Sequence, residues 1–313
     1  MTCEEDVEKV QNILNTVYNW ENRNNMLWNS EKFMALRIGN EEIRNNTIYF
    51  TPNFNDPVKA MAEAKDLGIL FDYEFNFKCQ MRKVVKKANN KISWVLRTFN
   101  SRKPTLMRTL WKSLIVLHFD YGNVLWAKTK TQVDRQTLEE PLRNFSRRVQ
   151  GMSQLNYWQR LDKLKLHSIE RRTERFIIFY TWKSLMNMVP SLEFILWTHP
   201  RKGKLIRYKK NNAKSSHMRS MKDISIYGQG PKLFNALPQC IREWEGTFST
   251  FKFMVDNFIS LLPDRPCIQG YRTDNNDLYG GMTNSVIHWI RNLDLHDWKP
   301  IQDPDAIQEY EDN

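Results

Sequence analysis

Apolar residues return at intervals of three and four near the start of the chain: Val7, Val10, Ile13 or Leu14, Val17 and Tyr18. That spacing predicts an amphipathic helix over residues 4–25, ended by the turn-tolerant Asn22 to Asn25. The period then shortens to two. Phe33, Ala35 and Arg37 alternate with Met34, Leu36 and Ile38, which predicts a strand closed by Gly39. Residues 47–50 predict a second short strand, 52–57 a turn-rich loop, and 65–72 a third strand with an internal glycine. One helix and three short strands are too little sheet to make a stable domain alone.

From Asn76 onward the pattern is helical. Over 80–99, Val84, Val85, Ala88, Ile92, Val95, Leu96 and Phe99 fall within an arc of about 120° at 100° per residue. Lys83, Lys86, Lys87, Asn90, Lys91 and Arg97 fall on the opposite arc, with Trp94 in its middle. A Trp there either stacks on a base or ribose while the cations hold phosphates, or packs on a neighbouring helix. Ser101 to Pro104 breaks the helix, and Pro104 suits the first turn of the next one, which runs to about His118. The segment 118–126 turns on Gly122. A helix over 132–150 points Leu138, Leu142, Phe145 and Val149 inward and Arg143, Arg147 and Arg148 outward, and Gly151 stops it. Two more helices follow at 156–164 and 169–189. Arg171, Arg172 and Arg175 in the first half of the latter oppose the helix dipole, so something other than helix stability placed them. Residues 199–222, polar and basic, predict a flexible linker. Short helices return over 228–262, with one more at 283–293 and an acidic end.

Charge sharpens this division. Residues 1–80 carry 8 Lys and Arg against 13 Asp and Glu, residues 81–222 carry 32 against 8, and residues 223–313 carry 7 against 14. The segments thus net −5, +24 and −7, within a total of +12. A basic middle interleaved with aromatics is the footprint of a polyanion, nucleic acid first, against the plainer reading of a solvated basic surface. Cys3, Cys79, Cys240 and Cys267 are scattered with no CxxC, and the histidines do not pair with them at zinc-ligand spacing. Reduced thiols, an acidic polar N-terminus without signal-peptide character and the absence of an 18-residue apolar run predict an intracellular protein, nuclear or cytoplasmic, not secreted and without a membrane span.

Several chemistries find no motif: there is no GxxxxGK[ST], GxGxxG, GxSxG or HExxH. Two-metal phosphoryl transfer needs carboxylates converging on Mg2+. The acidic clusters at Glu4 to Asp6, Glu41-Glu42, Glu139-Glu140 and Asp303/Asp305 lack the apolar strand–turn setting that would bury and aim such a pair.

The order of segments carries a resemblance over about residues 5–275. The stretch from Asn12 through Trp28 and Lys32 to Gly39 resembles the region that follows the catalytic aspartates in reverse transcriptases of jockey-like non-LTR retrotransposons. Lys65 to Asp72 resembles the primer-grip strand pair that comes next. LeuTrpLysSerLeuIle (110–115), PheAspTyrGlyAsnValLeuTrp (119–126), the run from Arg160 to Arg172 and PheAsnAlaLeuPro (234–238) are similar to successive landmarks of the thumb and C-terminal region. Phe234 stands where the family usually has Trp.

The resemblance implies a mainly α fold: a multi-helical thumb-like region preceded by a small α+β remnant of a polymerase palm. Its expected parts are an incomplete palm over 1–75, a basic helical thumb-like region over 76–198, the linker over 199–222 and a C-terminal helical segment with an acidic tail over 223–313. The metal-binding aspartates and the fingers would lie upstream of Glu4, so no polymerase activity is expected of this chain alone, although Mg2+ would serve the intact polymerase. Lys32 falls on a palm lysine proposed to protonate pyrophosphate, and Leu67 and Gly68 fall on the primer grip. The expected partners are RNA, DNA or an RNA–DNA hybrid, with the fingers and palm portion of the polymerase as a further partner. The alternative is a retroelement-derived helical nucleic-acid-binding or protein-interaction module with no enzymatic role.

Overall fold

In a computed structural model, residues 4–26, 34–38, 48–51, 57–127, 131–190, 192–208, 223–265 and 285–299 are described. The protein is mainly helical, with three two-stranded sheets among the described residues. It divides into two compact units, Met1–Lys83 and Val84–Asn313.

The first unit opens with α1, Glu4–Arg23. Its inward side carries Leu14, half-buried, with Tyr18 and Glu21, both buried, so Leu14 rather than Ile13 is the core residue. The Gln11 carboxamide meets the Phe50 backbone twice, accepting from its N–H at 2.9 Å and donating to its carbonyl at 3.1 Å. β1, Met34–Leu36, pairs in parallel with β2, Lys59–Met61, a strand that the sequence did not announce. Phe33, Lys32 and Gly39 lie outside the described residues, as does Thr47; among the described residues of the expected 47–50 strand, Phe50 forms a bridge with Pro57.

The expected third strand over 65–72 is instead a hairpin. β3, Glu63–Asp66, and β4, Ile69–Asp72, run antiparallel around Leu67 and Gly68. Both turn residues have positive φ, +43° and +88°, as a two-residue type I′ turn requires. Glycine adopts that conformation freely, whereas a leucine is strained there. The Leu67 side chain is 82% exposed, so little packing holds it. Leu67→Asn is therefore expected to stabilise the hairpin by about 1 kcal/mol, read as a raised urea midpoint; an unchanged or lowered midpoint would show that the leucine side chain matters more than its backbone. Behind the hairpin, Phe71, Phe75 and Phe77 form a ring cluster with centroids 5.0–5.7 Å apart.

α2, Lys78–Thr98, leads into the second unit, and from Val84 on it buries Val84, Ala88, Ile92 and Val95. The Arg102 guanidinium donates to the Phe99 and Leu96 carbonyls near its C-terminal end. The next helical run is α3, Pro104–Leu110, then a π-helical segment, Trp111–Ile115, then α4, Leu117–Asp120. Trp111 packs between Phe119, at 6.2 Å, and Phe145, at 5.1 Å. Gly122 turns the chain at φ +62° into α5, Asn123–Trp126. α6, Gln132–Arg147, starts at a Thr131 cap and buries Leu138, Leu142 and Phe145. α7, Tyr157–Leu164, begins with a full capping box of Asn156 and Gln159. α8, Ile169–Leu185, begins at Ser168 and ends four residues before the expected 189, where Asn187 takes φ +54°.

The expected 199–222 linker is corrected in its first part. β5, Phe194–His199, and β6, Gly203–Tyr208, form an antiparallel hairpin, and Leu205 and Ile206 are buried. Residues 209–222 lie outside the described residues. α9, Ile226–Ala236, α10, Gln239–Arg242, α11, Phe248–Ser260, and α12, Ser285–Leu293, follow. They share one core with α8 and β6: Ile177, Trp182, Ile206, Phe234, Phe251, Phe258 and Ile290 are buried together. The described helices from Ile226 to Leu293 thus pack on α8 within the same unit. Trp182 stacks on Phe251 at 4.6 Å and donates its Nε1 hydrogen to the Trp244 carbonyl at 3.1 Å.

Candidate nucleic-acid interface

The basic face of α2 follows from its wheel. With Ala88, Ile92 and Val95 drawn inward, Lys86, Lys87, Asn90, Trp94 and Arg97 must face solvent, and all five are exposed. Among the described residues Lys86, Lys87 and Arg97 have no ion-pair partner. Lys91 is half-buried because its ammonium lies 4.9 Å from the Trp94 ring centroid. Trp94 meets Phe99 edge-on at 6.1 Å and remains 42% exposed. The indole is thus steadied by the start of the loop while much of its surface stays open. Lys83 is used differently, since its Nζ donates to the Gly68 carbonyl at 3.1 Å and holds the hairpin turn of the first unit.

His118 joins this face, and no spacing in the sequence pointed to it. Its imidazole pKa is lowered first by burial and then by Lys87 and Lys91. The link is tertiary, because α4 brings His118 near a helix almost thirty residues earlier.

The other predicted contacts separate into groups. On α6, Arg147 and Arg148 are exposed, whereas Arg143 is half-buried with its guanidinium 4.2 Å from the Tyr157 ring centroid. On α8 the three arginines are placed by protein groups. Arg171 is 0% exposed and lies against the carbonyls of Leu262, at 3.1 Å, and Pro263, at 2.7 Å. A side chain without solvent access cannot meet a phosphate, so Arg171 is withdrawn from the interface. Arg172 makes a two-point bond to Asp120, and Arg175 makes one to Asp256. Leu67 and Gly68 occupy a hairpin tip, and Lys32 lies outside the described residues.

Among the described residues no group of three or more His, Cys, Asp or Glu is placed to hold a metal ion. Burial pushes the Cys79 thiol up to about 11, reinforced by Asp72 and Glu63, which removes it as a nucleophile at neutral pH. Among the described residues no helix is long and apolar enough to cross a membrane. No family model, curated protein or solved structure matches the chain.

Proposed function

We propose that this chain binds the phosphate backbone of RNA, DNA or an RNA–DNA hybrid, as the thumb and C-terminal portion of a non-LTR retrotransposon reverse transcriptase, without polymerising by itself. The observation that carries the reading is the solvent-facing arc of Lys86, Lys87, Lys91 and Arg97 around a partly open Trp94. Lys86, Lys87 and Arg97, which have no ion-pair partner among the described residues, are free to replace the counterions of a nucleic acid, and an exposed indole offers a sequence-tolerant stacking surface. Contacts of this kind fix register and orientation on a backbone and do not read bases.

The test is binding to an RNA–DNA hybrid over a salt series. Affinity is expected to fall steeply with salt. The triple reversal Lys86→Glu, Lys87→Glu, Lys91→Glu is expected to weaken binding at least roughly tenfold and to flatten the log–log salt slope by about three units. An unchanged slope would make the arc a solvated face only. Deoxynucleotide incorporation on a primed RNA would overturn the non-polymerising part.

The second reading, a free-standing binding or interaction module derived from such an element, is favoured by one observation. The second unit closes a large core of its own from α8, β6, α9, α11 and α12. If the first unit were a palm cut off from its partner, Phe33, Leu36, Leu67 and Ile69 would be uncovered; Ile69 is buried, Leu36 half-buried and Leu67 exposed at a turn tip, and Phe33 lies outside the described residues.

A further inference from the structure

The hairpin of β5 and β6 has one closed edge and one open edge. On the outer side of β6 the main chain is met by side chains. The Asn235 carboxamide, from α9, accepts from the Ile206 N–H at 2.9 Å and donates to the Ile206 carbonyl at 2.8 Å. Glu243 accepts from the Lys204 N–H at 3.2 Å, and the Arg242 guanidinium donates to the Lys204 carbonyl. Side chains thus stand where a further strand would lie.

These contacts also fix which groups of β5 face outward. Lys204 and Ile206 point their main-chain groups away from β5, so their cross-strand partners Thr198 and Leu196 point theirs away from β6. Phe194, paired with Tyr208, continues the alternation. Among the described residues the N–H and C=O groups of Phe194, Leu196 and Thr198 have no partner. An open edge is a template for another strand, and proteins usually blunt it with lysine, proline or a bulge. From Phe194 to His199 there is no charged Lys, Arg, Asp or Glu and no Pro, and the pairing with β6 is unbroken. Leu196 is 52% exposed and Trp197 40% exposed. A strand without Lys or Arg offers little to a polyanion, so this edge is independent of the α2 reading.

We propose that β5 pairs antiparallel with β5 of a second copy of this chain across a two-fold axis, joining two hairpins into one four-stranded sheet. The outward groups select the register. With Leu196 opposite the partner's Leu196, Phe194 faces the partner's Thr198, and every outward N–H meets an outward carbonyl. Trp197 then lies against the partner's Ile195, an aromatic and β-branched pair. Charge selects the direction. Antiparallel strands bring Glu193 beside the partner's His199 and toward the exposed cations Arg201 and Lys202 of its turn, whereas parallel strands would set two basic turns side by side. Because the outer edge of β6 is closed, no third copy adds, and the assembly ends at a dimer.

The test is sedimentation velocity of the full chain, treated with nuclease and held at physiological salt. A monomer–dimer equilibrium is expected, with a Kd on the order of 10 μM for so small a seam and no larger species. Leu196→Lys and Leu196→Glu are each expected to be monomeric, because position 196 faces itself and like charges meet there. An equimolar mixture of the two is expected to recover the dimer, since opposite charges then meet. Leu196→Pro deletes a donor that the hairpin itself does not use; it is expected to be monomeric and serves where a charged variant does not fold. An unmodified chain that stays monomeric at about 100 μM would overturn the proposal and leave the edge to an extended segment of another protein. Growth beyond a dimer, a dimer kept by Leu196→Lys, or a mixture that stays monomeric would overturn it as well.

Discussion

Glu139→Gln is expected to remove a loss of stability, on the order of 3 kcal/mol, that the unmodified protein suffers as pH rises from 5 to 8. Glu139 is buried on the inner side of α6. Both carboxyl oxygens accept from the Ile169 backbone N–H at 3.1 Å, and Oε1 also accepts from the Tyr157 hydroxyl. Ile169 is the first residue of α8, so this one carboxyl ties α6 to α7 and to the start of α8. Burial pushes its pKa up to about 7, against the opposing pull of the Tyr157 and Ile169 hydrogen bonds. An acid whose pKa is raised by folding binds its proton more tightly in the native state. Its contribution is fully present below the unfolded pKa of 4.5 and is lost as pH climbs through about 7. His118 and His167 have lowered pKa values, mainly from burial, and act in the opposite sense. The readout is therefore the difference between the urea unfolding free energies of the two proteins at each pH. Glutamine keeps a neutral acceptor for Tyr157 and Ile169, so the difference should be small at pH 5 and should favour the variant at pH 8. A difference that does not change with pH would mean that Glu139 stays ionised in the native state.

The helices of the second unit were legible because their apolar period runs over several turns and their starts carry side-chain caps: Thr131, Asn156, Ser168 and Thr247 each accept from a backbone N–H. The hairpins were not. Strands of four to six residues hold too few alternations to outweigh composition. At 203–208, Lys204 and Arg207 hid the buried pair Leu205 and Ile206. At 63–72, leucine is not a residue that advertises a left-handed turn, so Leu67-Gly68 read as strand. The exposed side of α2 could be read, because one helix sets its own two faces. The partners of the α8 arginines could not. Asp120 is 52 residues from Arg172, and Asp256 is 81 residues from Arg175. The dipole-opposing position of these arginines was a true signal that something outside the helix placed them, and its source is other protein groups.

Arg171 is where that distinction has the largest consequence. Arg171→Met is expected to cost about 3–5 kcal/mol, because it removes one partner from a buried charged network and leaves the others in place. The guanidinium reaches the carbonyls of Leu262 and Pro263, just past the end of α11, and its Nε lies 3.7 Å from Asp264 and 3.9 Å from Glu174. Glu174 is itself buried and accepts from the Val286 N–H at the start of α12, at 3.3 Å. Asp264 accepts from the Ser168 N–H and hydroxyl at the start of α8. One cation therefore neutralises two carboxylates that hold the starts of two helices, and it satisfies the carbonyls that end a third. Arg171→Lys should rescue little, since an ammonium cannot span these acceptors as a planar fork does. Arg172, one residue on, is half-buried with Asp120 as its partner, and Arg172→Met should cost roughly 1–2 kcal/mol. Urea denaturation of the two methionine variants, followed by circular dichroism, compares neighbours of identical chemistry in different surroundings. Equal losses would refute the buried anchor. Weakened nucleic-acid binding by Arg171→Met at unchanged stability would return Arg171 to the surface and to the backbone contact first expected of it.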